Sequence, residues 1–322
     1  MTGYLKFLCL LLLSTFLETN CFGQEPEKDP GYLDISAVVN LDSFTVVASK
    51  TGFSVTEFIQ LVREDESFIN AFHNLRFLNY TSTNTFDFKS KRNKSIASNS
   101  AIIRQTMEDS KCRKTRIIKE DPQGKFYKNQ HKKEYKYYTS KMHDRLFYAH
   151  NRSCTALEPT ITPTGESRLE KYVSELKKLI FKPGEKANVP FIGDKLAIFE
   201  NSMSKYYDYS VESVMYEDKV DCYVFTAKVK DKYMAYKTGK TVIKYLKTYF
   251  RKADFQVMGR NYQLKYNAAL YEFDLTMVIK LGIVENKYVP ILIQYDGFWD
   301  LPFYKKESSK FTLTFYDFKP FE

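Results

Sequence analysis

The sequence predicts an α+β protein built on an antiparallel sheet, and three patterns carry that expectation. Tyr271, Phe273, Leu275, Met277, Ile279 and Leu281 alternate with residues that are mostly polar, which gives a strand one dry face and one wet face. The 25 Tyr and 26 Phe suit pleated surfaces, on which aromatic rings pack well. Capping signatures at Ser54 and Ser167 open stretches of helical spacing.

The elements follow in chain order. Lys6 precedes an apolar run from Phe7 to Leu17, which Glu18, Thr19 and Asn20 end abruptly. The run is shorter than the about 20 residues a spanning helix needs. It reads as a secretory signal peptide, cleaved between Gly23 and Gln24. Cys21 raises lipidation as a second option, although Asn20 and Glu18 depart from the lipoprotein pattern. Removing residues 1–23 leaves 299, enough for two ordinary domains or one large β domain.

Residues 24–32, with Pro26 and Pro30, read as a loose start, and Ser43–Ser49 as a short β-prone run. Ser54-Val-Thr-Glu57 is a capping box that opens a helix with Phe58, Leu61 and Val62 on one side. Asp65 is the expected N-cap of a second helix, with Phe68, Ile69, Phe72 and Leu75 as its stripe. Residues 77–139 read as a β-meander in which Asp121-Pro-Gln-Gly124 fits a type I turn. Thr139 or Ser140 is expected to start a short helix through Leu146 and Phe147.

Residues 152–168, with Pro159, Pro163 and Gly165, form the expected linker between an N-terminal part, 24–151, and a C-terminal part, 169–322. The two β regions could also join in one sheet. Ser167-Arg-Leu-Glu170 caps a third helical stripe through Leu179 and Ile180, which Pro183-Gly184 ends. Strands are expected at Tyr223–Val229, Tyr271–Leu281, Val289–Tyr295 and Phe311–Phe315, with Asp296-Gly297 as a hairpin turn.

Charge is uneven. The chain carries a formal net +10, and residues 89–145 alone hold 17 Lys and Arg against 6 Asp and Glu. In an exported protein that segment points away from nucleic acid, toward anionic headgroups, polysaccharide or plain solvated surface. Beyond the signal peptide stand Cys112, Cys154 and Cys222, an odd set that permits one disulfide at most. Each is read as a small buried hydrophobe.

Few residues stand in spacings that carry chemistry. His73, His131, His143 and His150 are the only histidines. His143 and His150, seven apart, are read as a surface pair rather than zinc ligands. Metal-protease, nucleophile-elbow and phosphate-loop spacings do not occur. Asn79, Asn93 and Asn151 head N-glycosylation patterns. The expectation is a non-catalytic protein with no cofactor and no metal.

Phe53–Ile59 with Phe72–Phe77, then Asp221–Val229, then Pro290–Trp299 resemble the outer-membrane lipoprotein-sorting family of periplasmic carriers, in its enlarged Bacteroidota-type form. The resemblance implies an incomplete β-barrel: one curved antiparallel sheet with covering helices and an apolar cavity for acyl chains. By strand parity Phe225, Phe273, Leu275, Met277, Ile291 and Ile293 are the candidate lipid- or cargo-binding residues, and Tyr295, Asp296, Gly297 and Trp299 form a hairpin motif beside them. The partners so implied are a lipid or acylated protein cargo and an anionic membrane surface, and the location is the periplasm or outer-membrane periphery. An envelope interaction module without ligand is the alternative class, and a secreted hydrolase the third.

Overall fold

The computed structural model describes residues 54–147, 151–154, 175, 178–189, 191–234, 239–268, 271–300 and 305–321, all within one compact unit, Asp34–Glu322. The signal-peptide reading, Ser43–Ser49 and the capping box at Ser167 lie outside these residues.

Two helices open the described chain. In α1 (Val55–Glu64) the Ser54 hydroxyl accepts from the Glu57 amide while the Glu57 carboxylate accepts from the Ser54 amide, so the capping box forms. Phe58 and Val62 are buried, and Phe58 meets the rings of Tyr223 and Phe250. In α2 (Ser67–Leu75) Asp65 does the capping: its carboxylate accepts from the Ser67 amide at 2.9 Å and the Phe68 amide at 3.4 Å. Phe68, Ala71, Phe72 and Leu75 face inward. Each such large apolar side chain contributes about 1.5–3 kcal/mol when fully buried.

The rest is dominated by one unclosed, curved antiparallel sheet of eleven strands, partly covered by short helices. Its strands are β1 (Leu78–Lys89), β2 (Ser95–Met107), β3 (Arg113–Gly124), β6 (Asn151–Ser153), β7 (Tyr207–Tyr216), β8 (Val220–Val229), β9 (Ile243–Arg251), β10 (Val257–Ala268), β11 (Tyr271–Val284), β12 (Lys287–Asp300) and β13 (Glu307–Pro320). The order is β6-β3-β2-β1-β13-β12-β11-β10-β9-β8-β7. The first and last long strands, β1 and β13, pair from Leu78↔Pro320 to Lys89↔Ser308. Strands from both sides of residues 152–168 therefore share a single sheet. Register shifts interrupt several ladders, at Ile102/Ile103 and Lys280/Leu281 among others, and such bulges bend strands and raise their twist. A small hairpin of β4 (Tyr127–Asn129) and β5 (Glu134–Tyr135) leads into α3 (Tyr138–Phe147). A helical segment at 178–181 and the short α4 (Asn201–Ser204) complete the cover.

Side chains tie the helices to the sheet. The Asn74 amide nitrogen donates to the Tyr288 carbonyl at 3.0 Å. Buried Gln105 on β2 donates to the carbonyls of Leu75 and Leu78, closing the end of α2. Phe72 and Phe181 meet edge to face at 5.0 Å, linking α2 to the 178–181 segment.

Three expectations need correction. Asp121-Pro-Gln-Gly124 is not a turn: Pro122 pairs with Asn99 inside β3. Proline fits there because, among the described residues, β6 pairs only with Arg113–Thr115 and no strand pairs with the outer side of β3 at Pro122. Asp296-Gly297 is not a hairpin turn either, since both lie inside β12, opposite Thr276 and Leu275. The chain reverses instead at Glu285 and Asn286, which take φ 47° and 62°, as a two-residue primed turn requires. Gly297 is needed for a different reason: a Cβ there would sit 2.4 Å from the Leu275 Cβ. Finally, Cys112 and Cys154 are not separate buried hydrophobes but form a disulfide joining the β2–β3 turn to the end of β6. Cys222 is a free, buried thiol.

Candidate functional site

An apolar cavity of about 60 Å³ lies between the sheet and two helical pieces. Its floor comes from four strands: Tyr262 and Leu264 on β10, Leu275 and Met277 on β11, Tyr295 and Trp299 on β12, and Phe311 on β13. Strand alternation places these side chains on one face. The cover comes from Thr139, Met142 and His143 of α3 and from Leu179 and Ile180 of the 178–181 segment. Positions 139, 142 and 143 are spaced i, i+3, i+4, so they share one side of α3.

Both covers are pinned by a buried charge. Glu307 reaches from β13 to the start of α3 and accepts from the amides of Tyr138 (2.7 Å) and Thr139 (2.9 Å) and from the Thr139 hydroxyl (2.9 Å). A carboxylate suits that place, because the first amides of a helix lack partners and carry partial positive charge. Burial nevertheless raises the pKa of Glu307 above its ordinary value of 4.5, against the pull of these hydrogen bonds. Trp299 Nε1 donates to Thr139 Oγ1 at 3.1 Å, so one end of the cavity is a polar knot and the remainder is apolar.

The 178–181 segment is held by Arg260, which is fully buried. The guanidinium donates to the carbonyls of Phe181 (3.2 Å) and Ile180 (3.5 Å) and pairs with Asp65 at 2.6 Å. It also lies 4.4 Å from the Phe68 ring centre. The Tyr262 hydroxyl adds a 2.6 Å bond to the Ile180 carbonyl. Burial pushes the Tyr262 phenol up to about 12.

The candidate residues divide. Leu275 and Met277 line the cavity, together with Tyr295 and Trp299. Phe225 is buried against the rings of Phe199 and Tyr209, away from it. Phe273 stacks near Tyr266, and Ile293 is fully buried in the core. Ile291 covers Gly282, and Asp296 pairs with Lys310 at 2.5 Å. Sequence reasoning did not assign Tyr262, Leu264, Met142 or His143 to the site. The alternation of Tyr262, Leu264 and Tyr266 was the available signal on β10. His143 is buried, with its ring 4.8 Å from Phe86 and 5.0 Å from Phe311. It is therefore not part of a surface pair, because α3 turns that side toward the sheet.

Chemically the cavity offers apolar contact and little else. The Thr139 hydroxyl spends its proton on Glu307 in a helix cap. Among the described residues no group of three or more His, Cys, Asp or Glu could hold a metal ion.

No family model matches the chain, and no curated protein matches it. Solved structures do resemble it at low identity. A LolA superfamily protein from Nitrosomonas europaea is 8% identical, with 80% of this chain and 93% of that one covered, at a TM-score of 0.26. A DUF1329 family protein from Desulfovibrio piger is 10% identical over 78% and 92%, at 0.23. A domain described as an outer membrane lipoprotein-sorting protein, from Vibrio parahaemolyticus, is 10% identical over 79% and 91%, at 0.26.

Proposed function

We propose that this protein is a non-catalytic binder of a lipid or acylated cargo in the cell envelope, of the enlarged lipoprotein-sorting type. The observation that carries the reading is the apolar cavity between the sheet and two separately pinned helical pieces. Apolar burial drives such binding at about 25 cal/mol per Å² before the costs of ordering. The Cys112–Cys154 disulfide supports an oxidising compartment outside the cytoplasm.

As it stands the cavity, about 60 Å³, is smaller than the roughly 150 Å³ cavity that admits benzene. An acyl chain enters only when α3 or the 178–181 segment moves off the sheet. The same small volume favours a second reading, in which the core is closed and the protein is an interaction module without ligand.

Native mass spectrometry of the gently purified protein separates the two. The carrier reading expects a lipid adduct on the wild type and its loss in Met277→Trp, which fills the cavity, with circular dichroism showing that the variant stays folded. A bare polypeptide mass, unchanged after incubation with lipids and acylated peptides, establishes the closed module instead.

A further inference from the structure

A second concavity lies on the other side of α3. It is a groove of about 780 Å³ between β3, the β4–β5 hairpin and the outer face of α3. Five cations line it: Lys114 and Arg116 from β3, Lys132 and Lys133 from the hairpin, and Lys141 from α3. Among the described residues two carboxylates, Glu134 and Asp144, line it as well, and Glu120 stands beside Lys133 and Tyr127. Lys133 is partly satisfied by Glu120 at 2.8 Å and lies 5.1 Å from the Tyr127 ring centre. Lys114, Arg116 and Lys132 form no ion pair among the described residues. Tyr127 and Tyr135 stack at 5.5 Å to form one wall.

Apolar side chains stand exposed beside this charge. Ile117, which also lines the groove, is 40% exposed, and Ile118 is 53% exposed. Ile103 pairs with Ile117 and Ile102 with Lys119, so Ile118 is the extra residue of a bulge. Charges and bulges do protect an unpaired edge from other strands. Exposed isoleucines work against that protection. A surface with both features matches a phase that is anionic at its face and apolar just beneath.

We infer that the groove between β3, the β4–β5 hairpin and α3 docks the protein on an anionic phospholipid surface. Lys114, Arg116, Lys132 and Lys141 meet the phosphate groups, and Ile117 and Ile118 enter the interface. The inference rests on the groove alone and not on cargo binding. It does place the two sites back to back on one helix: Lys141 and Asp144 face the groove, while Thr139, Met142 and His143 face the cavity.

Flotation of the purified protein with vesicles of phosphatidylcholine, with and without phosphatidylglycerol, tests this at low and physiological salt. Binding is expected only with phosphatidylglycerol and weakens with salt. Lys114→Gln/Arg116→Gln/Lys132→Gln should weaken it roughly a hundredfold, at about fivefold per charge near the surface. Lys219→Gln/Lys232→Gln/Lys287→Gln, which removes the same charge elsewhere, should change it by no more than about threefold, since charges beyond a Debye length are screened. Ile117→Ser/Ile118→Ser should weaken it with no change in thermal unfolding. Met277→Trp should bind vesicles as the wild type does, so failure of the cavity reading and failure of this one are separable. Absence of binding to phosphatidylglycerol vesicles overturns the inference. So do equal losses in the two triple variants, which would report net charge alone. Binding that ignores the isoleucines and is matched by soluble glycerol phosphate or an anionic polysaccharide overturns it in favour of a soluble anion.

Discussion

Replacing Arg260 by Met is the most informative single perturbation of this fold. The side chain of Arg260 is 0% exposed and that of its partner Asp65 is 5% exposed. Methionine keeps most of the volume and removes the charge together with the donors to Phe181, Ile180 and Asp65. What remains is a buried carboxylate without its cation, a change that costs about 3–5 kcal/mol. Urea unfolding measures it, as a lower midpoint with an unchanged slope. Asp65→Asn/Arg260→Met then checks the cause. Asn keeps an acceptor for the Ser67 amide and leaves no stranded charge, so the double variant should be about as stable as Arg260→Met or better. A loss below about 1 kcal/mol in the single variant, or simple additivity in the double, refutes the reasoning.

Two further outcomes are expected. Cys112→Ser/Cys154→Ser should lose about 2–4 kcal/mol, because the bond closes a loop of sequence separation 42. Urea unfolding with and without reductant checks this, and reductant should then leave the double variant unaffected. Glu307→Gln should change the pH dependence of stability. The folded pKa of Glu307 is raised, chiefly by burial, so the protonated form is favoured in the native state. Its contribution is complete below the ordinary value of 4.5 and is lost as pH rises through the raised folded value. The stability of the wild type relative to Glu307→Gln should therefore fall across that window. A rise would refute the assignment.

What the sequence showed and what it hid have different physical ranges. The capping box at Ser54, the cap from Asp65 and the short helix near Thr139 depend on residues three or four apart, and each formed. The strands at Tyr271–Leu281 and Phe311–Phe315 were legible because their period is two. A residue typical of turns can serve the sheet instead. Gly297 looked like a turn residue, yet it makes room for Leu275, a contact set by the pairing of β11 and β12. The disulfide escaped because three cysteines allow three pairings, and only the fold brings 112 beside 154. The site residues on β10 and α3 were hidden for the same reason. Parity tells which side a residue faces along its own strand, but not which strands end beneath the same helix.

On the carrier reading, the least legible contacts also bear on which wall of the cavity would move. An anion, Glu307, holds the N-terminus of α3, and a cation, Arg260, holds the C-terminal carbonyls of the 178–181 segment. Each charge is opposite in sign to the helix end it meets, but the two holds are unequal. Arg260 is compensated by Asp65 and supported by the Tyr262 hydroxyl on the same carbonyl. Glu307 forms no ion pair within 4 Å among the described residues, and burial raises its pKa against its hydrogen bonds and the more distant Lys141. On the carrier reading, α3 is therefore the wall expected to lift. Native-state hydrogen exchange should be faster at the Tyr138 and Thr139 amides than at the Lys182 amide, which bonds the Lys178 carbonyl at 2.7 Å. The reverse order would make the 178–181 segment the moving wall, and entry would then pass along the Arg260 side of the cavity.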